Sequence, residues 1–341
     1  MIFYIHMVKY KYIFDVYEAI DMNQTEIVNL EDLVPANHIY RRFKKLWSFN
    51  SATQILCELE SDNNYKGYGL LRMFKCLLLQ FMEDVSDREL ERFIGENLAA
   101  KWFCGFGISE TTPHFTLFGK LRKRIGTNNL SKIFADLRAQ LKTQGVMSEV
   151  FTFVDATHLI SKANLWDERD KAIEAKYEKL NNETLPKVAH DSQAKIGAKS
   201  KSKFWYGYKQ HTSVDMPSGL IDKVAITPAN ITDAAGLKHV CPKNGAIYVD
   251  KGYCTEPAVT TAKANGCHLA AIKKDNMKSK NKDQDRWYSK IRAPYERVFS
   301  KRNQRVRYCG IAKNQFAAFM YAMCHNLKRL VVLNLPELRL A

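Results

Sequence analysis

The sequence predicts an α/β protein in two parts: an all-helical N-terminal domain, then a mixed sheet with flanking helices. Three observations carry that expectation. Before residue 146, apolar residues recur at three- and four-residue steps, the period of core-facing helices. After it, short β-branched and aromatic runs bounded by turn residues take over. Two of those runs, Val150 to Ile160 and Ala246 to Tyr253, set a lone aspartate, Asp155 or Asp250, into an otherwise apolar or aromatic stretch. An unpaired charge is costly to bury, so such an acid is solvated at a strand end, paired, or bound to a cation. The reading adopted here is that both hold metal ions.

Composition narrows the partner. With 46% hydrophobic residues, the 341-residue chain can bury a sizeable core, which excludes disorder as its main state. Lys and Arg number 52 against 36 Asp and Glu, a net charge of +16 that favours a polyanion. Nucleic acid comes before membrane, because no segment has spanning length. The apolar start, Met1 to Val8, is followed at once by Lys9 and Lys11 and lacks a small-residue cleavage site, so it does not read as a signal peptide. Met7 and Met22 stand as alternative starts. The eight cysteines form no CxxC pair, which argues against a zinc ribbon or a disulfide framework and for thiols in a reducing cytoplasm.

Taken in order, residues 1–37 read as a loosely attached lead-in and residues 38–146 as the helical, DNA-binding domain. Arg41 to Trp47 is a short basic amphipathic piece. Leu70, Phe74, Leu77, Leu78 and Phe81 make the stripe of a core helix. Ser86-Asp87-Arg88-Glu89 has the form of a capping box. Thr111-Thr112-Pro113 opens a helix bearing Lys120, Arg122, Lys123 and Arg124, the candidate DNA-contacting element, and a solvated charged face is the blander reading. A last amphipathic helix runs from about Leu130 to Thr143 and closes at Gly145.

Residues 147–335 read as the second domain. Its first strand carries Asp155, and a charged insertion at about 161–203 is expected to pack little of the core. Phe204 to Asp215 and Leu220 to Thr227 form a hairpin around Pro217-Ser218-Gly219, with Asp215 and Asp222 as turn formers. A helix near Thr232, the Asp250 strand, a short strand at His268 to Ile272 and a helical region from about Gln284 into the 330s complete the order. A hairpin followed by a crossover to a parallel strand would bring the two acids side by side. Glu296 is the third candidate ligand, a lone acid among Arg292, Arg297, Lys301, Arg302, Arg305 and Arg307. Arg292 precedes it by one helical turn, on condition that Pro294 sits in the helix's first turn. A salt-bridged surface acid is the commoner role for such a residue.

Val154-Asp155-Ala156-Thr157, Tyr206-Gly207-Tyr208-Lys209, Thr227-Pro228-Ala229-Asn230-Ile231-Thr232-Asp233, Val249-Asp250-Lys251-Gly252-Tyr253 and Arg292-x-x-x-Glu296 follow one another in that order. Over about residues 40–330 the chain resembles a DDE transposase of a bacterial insertion sequence, closest to the insertion-sequence-five group. The resemblance implies a ribonuclease-H-like catalytic domain with Asp155, Asp250 and Glu296 as the metal-binding triad. It implies two Mg²⁺ or Mn²⁺ ions, and Arg292 assisting at the phosphate or orienting Glu296. It also implies a homo-oligomer acting on terminal inverted repeats and target DNA, in the cytoplasm at the nucleoid. The chain departs from the pattern at Ser289, where the group carries tyrosine (Tyr288 is adjacent), and at Asn303, where it carries lysine. Lys209, Lys301 and Arg302 are further DNA-contact candidates, although a solvated strand lysine also suits Lys209. His158 reads as a strand histidine with a structural hydrogen bond, and Trp205, Tyr206 and Tyr208 as core and sheet face. Two other functions compete: a catalytically decayed DNA-binding protein from a remnant element, and a plain two-metal nuclease.

Overall fold

The computed structural model describes residues 27–61, 67–177, 181–200, 202–277, 280–300 and 304–340, with residues 61 and 296–300 described by backbone alone. The chain opens with α1 (Leu30–Leu33), α2 (Ile39–Leu46), α3 (Asn50–Ser61), α4 (Leu70–Met82), α5 (Asp87–Glu96), α6 (Leu98–Cys104) and α7 (Phe115–Thr143). The expected capping box starts α5: Glu89 N–H donates to Ser86 Oγ at 3.3 Å and Ser86 N–H to Glu89 Oε2 at 2.7 Å. The two helices expected after Pro113 are both present within α7, separated at Gly126, whose φ of 67° and ψ of 167° lie outside the helical region. The stripe on α4 is broader than its spacing implies. Met73, Cys76, Leu79, Gln80 and Met82 are buried as well, because helices cover it on several sides.

The lead-in is tied down at its end. Asn29 caps α1, Val34 is buried, and Trp102 Nε1 donates to Glu31 Oε2 at 2.5 Å. Arg41 pairs with Glu31 and donates to Val34 O, so residues 29–34 pack on the helical part rather than hanging from it. Residues 1–26, with Met7 and Met22, lie outside the described residues.

The second part runs β1 (Phe151–Ile160), α8 (Leu165–Glu174), α9 (Leu185–Val188), β2 (Lys195–Ser200), β3 (Lys203–Asp215) and β4 (Leu220–Pro228). It continues with α10 (Asp233–Val240), β5 (Gly245–Val249), a 3₁₀ turn (Lys251–Tyr253), α11 (Glu256–Ala264), β6 (Cys267–Ala271), α12 (Lys282–Ser300) and α13 (Ile311–Leu333). β3 is antiparallel to β1, β2 and β4, while β5 and β6 run parallel to β1 and to each other. Central strands β4, β3, β1, β5 and β6 thus lie in that order, a ribonuclease-H-like mixed sheet with helices on both faces.

Three expectations are corrected. The charged insertion adds β2 to the sheet and two helices, and its Asp191 is a buried clasp. That carboxylate accepts from Ser161 Oγ at 2.9 Å, Tyr208 Oη at 2.5 Å and Gly310 N–H at 3.0 Å, which joins insertion, β3 and α13. Helix α11, not foreseen, supplies the crossover that parallel strands β5 and β6 need. Its signal is present in the sequence: Thr255 at the cap and Pro257 in the first turn. Pro294 lies well inside α12 rather than in its first turn, so Lys290 O loses its intrahelical donor.

One apolar core joins the helical part to the sheet. Helix α13 is its axle, buried along most of its length and packed on α2, α4, α7 and β4. Its amides cover the edge strand: Asn326 bonds both backbone groups of Ile221, and Gln315 bonds Ile226 N–H and Val224 O. Asp222 on β4 is buried and pairs with Arg138 at 2.8 Å and Lys142 at 3.0 Å from α7. Burial works to raise its pKa, yet the two cations hold it below the usual carboxylate value.

Candidate active site

Asp155 and Asp250 converge through register. β1 pairs with β5 at Phe151↔Ala246, Thr152↔Ile247 and Phe153↔Tyr248, and there the pairing ends. Two residues farther along each strand come Asp155 and Asp250, at the same level on neighbouring strands and with the parity of Phe153 and Tyr248. Past that level the segment 304–306 takes over beside β1, where Ile160 N–H donates to Gln304 O and Val306 N–H to Ile160 O. Asp155 therefore sits in the uncovered interval of the β1 edge, between two stretches of paired backbone.

The face shared with Phe153 and Tyr248 belongs to α12. Tyr295 packs on Phe153 and Tyr288 on Tyr248. Between them Arg292, 6% exposed, places its guanidinium 5.4 Å from the Phe153 ring and its Nη1 3.4 Å from Asp250 Oδ1. The helical backbone carries position 296 one turn beyond Arg292. The opposite face, with Val154, Ile247 and Val249, packs on α10 and α11 in a second apolar cluster.

Burial raises the Asp155 pKa from the usual 3.8 to about 6. An accepted bond from Ala156 N–H and the charge of Arg292 pull it down, while Asp233 and Asp250 push it up. The balance leaves a carboxylate short of positive charge. Hard oxygen donors at one level, one of them under-compensated, suit a hard divalent cation. Tyr253 adds a second sign: it is 1% exposed and its hydroxyl has no hydrogen-bond partner. Among the described residues no group of three His, Cys, Asp or Glu side chains converges as a cluster, and the Glu296 side chain lies outside that search.

The other candidates divide. Lys120 and Lys123 are exposed on α7 and Arg124 is half-buried. Arg122 turns inward, gripping both oxygens of Asp87 at 2.6 and 2.8 Å and lying over the Tyr308 ring. Lys209 is neither solvated nor at the surface: its side chain is 13% exposed and its Nζ lies 2.7 Å from Asp233 Oδ1. Lys301, Arg302 and Asn303 lie outside the described residues. Ser289 bonds back to Asp285 O, while Tyr288 occupies the β5 face. His158 has its structural bond, Nε2 to Gln304 Oε1 at 3.1 Å, and Tyr206 and Tyr208 are core. Asp233 and Tyr253 lie in the Thr227–Asp233 and Val249–Tyr253 motifs, and only folding sets their neighbours.

Strand order defines a ribonuclease-H-like domain, and its acid pair lies at the open edge of the first strand. Residues 149–327 match the family described as Transposase DDE domain, and residues 28–124 match Transposase domain (DUF772). The chain belongs to the DDE transposases. Membership implies use of a divalent metal and action on DNA. Among solved structures, a piggyBac transposase synaptic complex with hairpin DNA is similar at 7% identity, with a TM-score of 0.39, over 87% of this chain and 76% of that one. Comparison with curated proteins gives no match. No helix among the described residues is long and apolar enough to cross a membrane.

Proposed function

We propose that this transposase cuts DNA at the ends of an insertion sequence of the insertion-sequence-five group and joins the freed 3′-hydroxyl to target DNA. The observation that carries the reading is the placement of Asp155 and Asp250 at one level on adjacent parallel strands, beside Arg292. Asp155, Asp250 and Glu296 would hold two Mg²⁺ or Mn²⁺ ions. When bound, such ions supply Lewis-acid activation of the scissile phosphate and of the attacking water.

The chain's own residues orient the reaction. Arg292, fixed on Asp250 and against Phe153, keeps a permanent cation beside the position of the phosphate. Water adds to phosphorus, the P–O3′ bond breaks, and a proton leaves with the liberated 3′-hydroxyl. That hydroxyl then attacks a target phosphodiester and displaces its 3′-oxygen, so bonds formed and broken balance and no energy source is needed. Lys120, Lys123 and Arg124 on α7 are the cations proposed to hold the duplex, and a homo-oligomer would pair two element ends.

The test is cleavage and joining of a labelled duplex carrying the flanking element ends, with Mg²⁺ or Mn²⁺, beside an Asp250→Ala control. Metal-dependent 3′-ends and joined products that vanish in the control support the reading. Specific binding without cleavage in either metal overturns it in favour of a decayed, binding-only protein. Cleavage without joined products would leave a plain nuclease.

A further inference from the structure

We propose that a cleft between the end of β1, the insertion and the start of α13 binds a phosphodiester group of the DNA backbone, with Lys162 and Lys313 as its cations and the His190 imidazole beside them. The inference rests on the proposed function only in taking DNA as the ligand.

The cleft holds about 400 Å³, and Lys162, His190, Tyr308, Cys309 and Lys313 help to line it. No carboxylate among the described residues does. Lys162, His190 and Lys313 are exposed, and among the described residues their side chains enter no ion pair, whereas Arg307 on the same wall is paired with Asp84. A lone surface lysine is ordinarily just solvated, so charge by itself decides nothing. Here three segments remote in the chain are fastened together to make the walls. Asp191, 2% exposed, accepts from Ser161 Oγ at 2.9 Å and from Gly310 N–H at 3.0 Å. Ser161 precedes Lys162, Gly310 follows Cys309 and Asp191 follows His190, so one buried carboxylate fixes all three. Gln193 Oε1 adds a bond from Ile311 N–H at 2.7 Å. Asp191 leaves one negative charge beneath the cleft, which the two ammonium groups outnumber. Glu168, also buried, accepts from His190 N–H at 2.9 Å and is matched by Lys171. Burial and the Asp191 charge raise the Cys309 pKa, so its thiol stays neutral and does not repel an anion.

Place and continuity point to DNA rather than to a free anion. Lys162 follows Asp155 by seven residues, at most about 23 Å along the strand direction. That equals about seven base-pair steps, so one duplex is long enough to meet the acids and the cleft together. The cleft also abuts the helical part. The Arg122 guanidinium lies 5.2 Å from the centre of the Tyr308 ring, and Thr127 Oγ1 donates to Ala312 O at 2.9 Å. In the chain these two α7 residues flank Lys123 and Arg124, close to Lys120. The cleft therefore joins the cations proposed on α7 to the strand that carries Asp155.

The experiment binds full-length wild type and a Lys162→Ala, Lys313→Ala double variant to a labelled duplex carrying the flanking element ends, in chelator so that nothing is cut. Anisotropy across a salt series gives the affinity. Mass spectrometry follows N-ethylmaleimide labelling of Cys309 with and without saturating duplex. The double variant should flatten the logarithmic salt dependence by about 1, the share of one phosphate. Duplex should slow Cys309 labelling severalfold in wild type and leave it unchanged in the variant, each at saturation. Both lysines are exposed, so the variant keeps the fold, as circular dichroism should show. Cys309 labelled equally fast in free and bound wild type overturns the proposal, and so does an unchanged salt slope. Shielding that survives in the variant overturns it too, since DNA would then cover the cleft without those cations. A wild type that binds no duplex fails the DNA reading and takes this inference with it. Shielding in a protein that never cuts with Mg²⁺ or Mn²⁺ supports the cleft and fails the proposed function alone.

Discussion

Replacing Asp155 by Asn should abolish DNA cleavage while making the metal-free protein more stable, and the size of the gain follows from the site. The carboxyl is displaced from the usual 3.8 to about 6, chiefly by burial. At 1.36 kcal/mol per pH unit, that corresponds to a penalty of about 3 kcal/mol on the charged form in the fold. The folded chain holds its proton more tightly than the unfolded chain does. Its stability therefore falls as pH rises between 3.8 and about 6, and the whole penalty is present above that window. Asn keeps the shape and cannot ionise. Urea unfolding with a chelator present should then show the variant more stable by up to about 3 kcal/mol at pH 7.5, and by about half as much at pH 5. Mn²⁺ should raise the melting temperature of the wild type and leave the variant unmoved. A variant no more stable than wild type at pH 7.5, or an advantage that does not shrink at pH 5, would refute the claim that Asp155 is held as an under-compensated charge.

Arg292→Met should lower cleavage about a hundredfold, the scale of removing one preorganised donor, and Lys should restore it only in part, as measured by single-turnover assays. Gly236→Ala should destabilise the fold by about 1–3 kcal/mol in urea titrations, since its methyl meets the His211 ring inside a packed layer. Asp222→Asn should cost about 3–5 kcal/mol, because Arg138 and Lys142 lose a buried partner. In the wild type the Asp222 contribution is present above the ordinary carboxylate pKa and is lost as pH falls through its lowered value, so acid unfolding monitored by circular dichroism should begin there. Replacing Lys120 and Lys123 together by Ala should weaken binding to all duplexes alike and flatten the logarithmic salt dependence by about 2.

The helical part owes its order to local chemistry, and so it was legible. Ser86 and Glu89 satisfy backbone groups three residues apart, and the α4 stripe needs only the 3.6-residue period. What covers α4 is another matter: α13 arrives from more than two hundred residues away and buries faces that the stripe left unassigned. Partners remote in the chain also explain Arg122, which looks like a DNA contact in a basic run and is in fact bound to Asp87, with its guanidinium over the Tyr308 ring. Likewise the insertion reads as solvent-loving because its charges outnumber its apolar residues, yet Asp191 and Leu185 anchor it.

By itself the sequence determined that two apolar runs each carry a lone acid, that a helix with Arg292 follows, and that the chain carries the motif order of a DDE transposase. Those are properties of residue type and spacing, which survive without coordinates. Asp155 proves to lie in the middle of its strand and Asp250 just past the end of its own. Only the tertiary structure decided that Asp155 and Asp250 share a level, since strand register depends on which backbones pair and where pairing stops. It alone turned Lys209 from solvent to an ion pair with Asp233. Electrostatics acts through space, and the chain's order does not reveal which charges will meet.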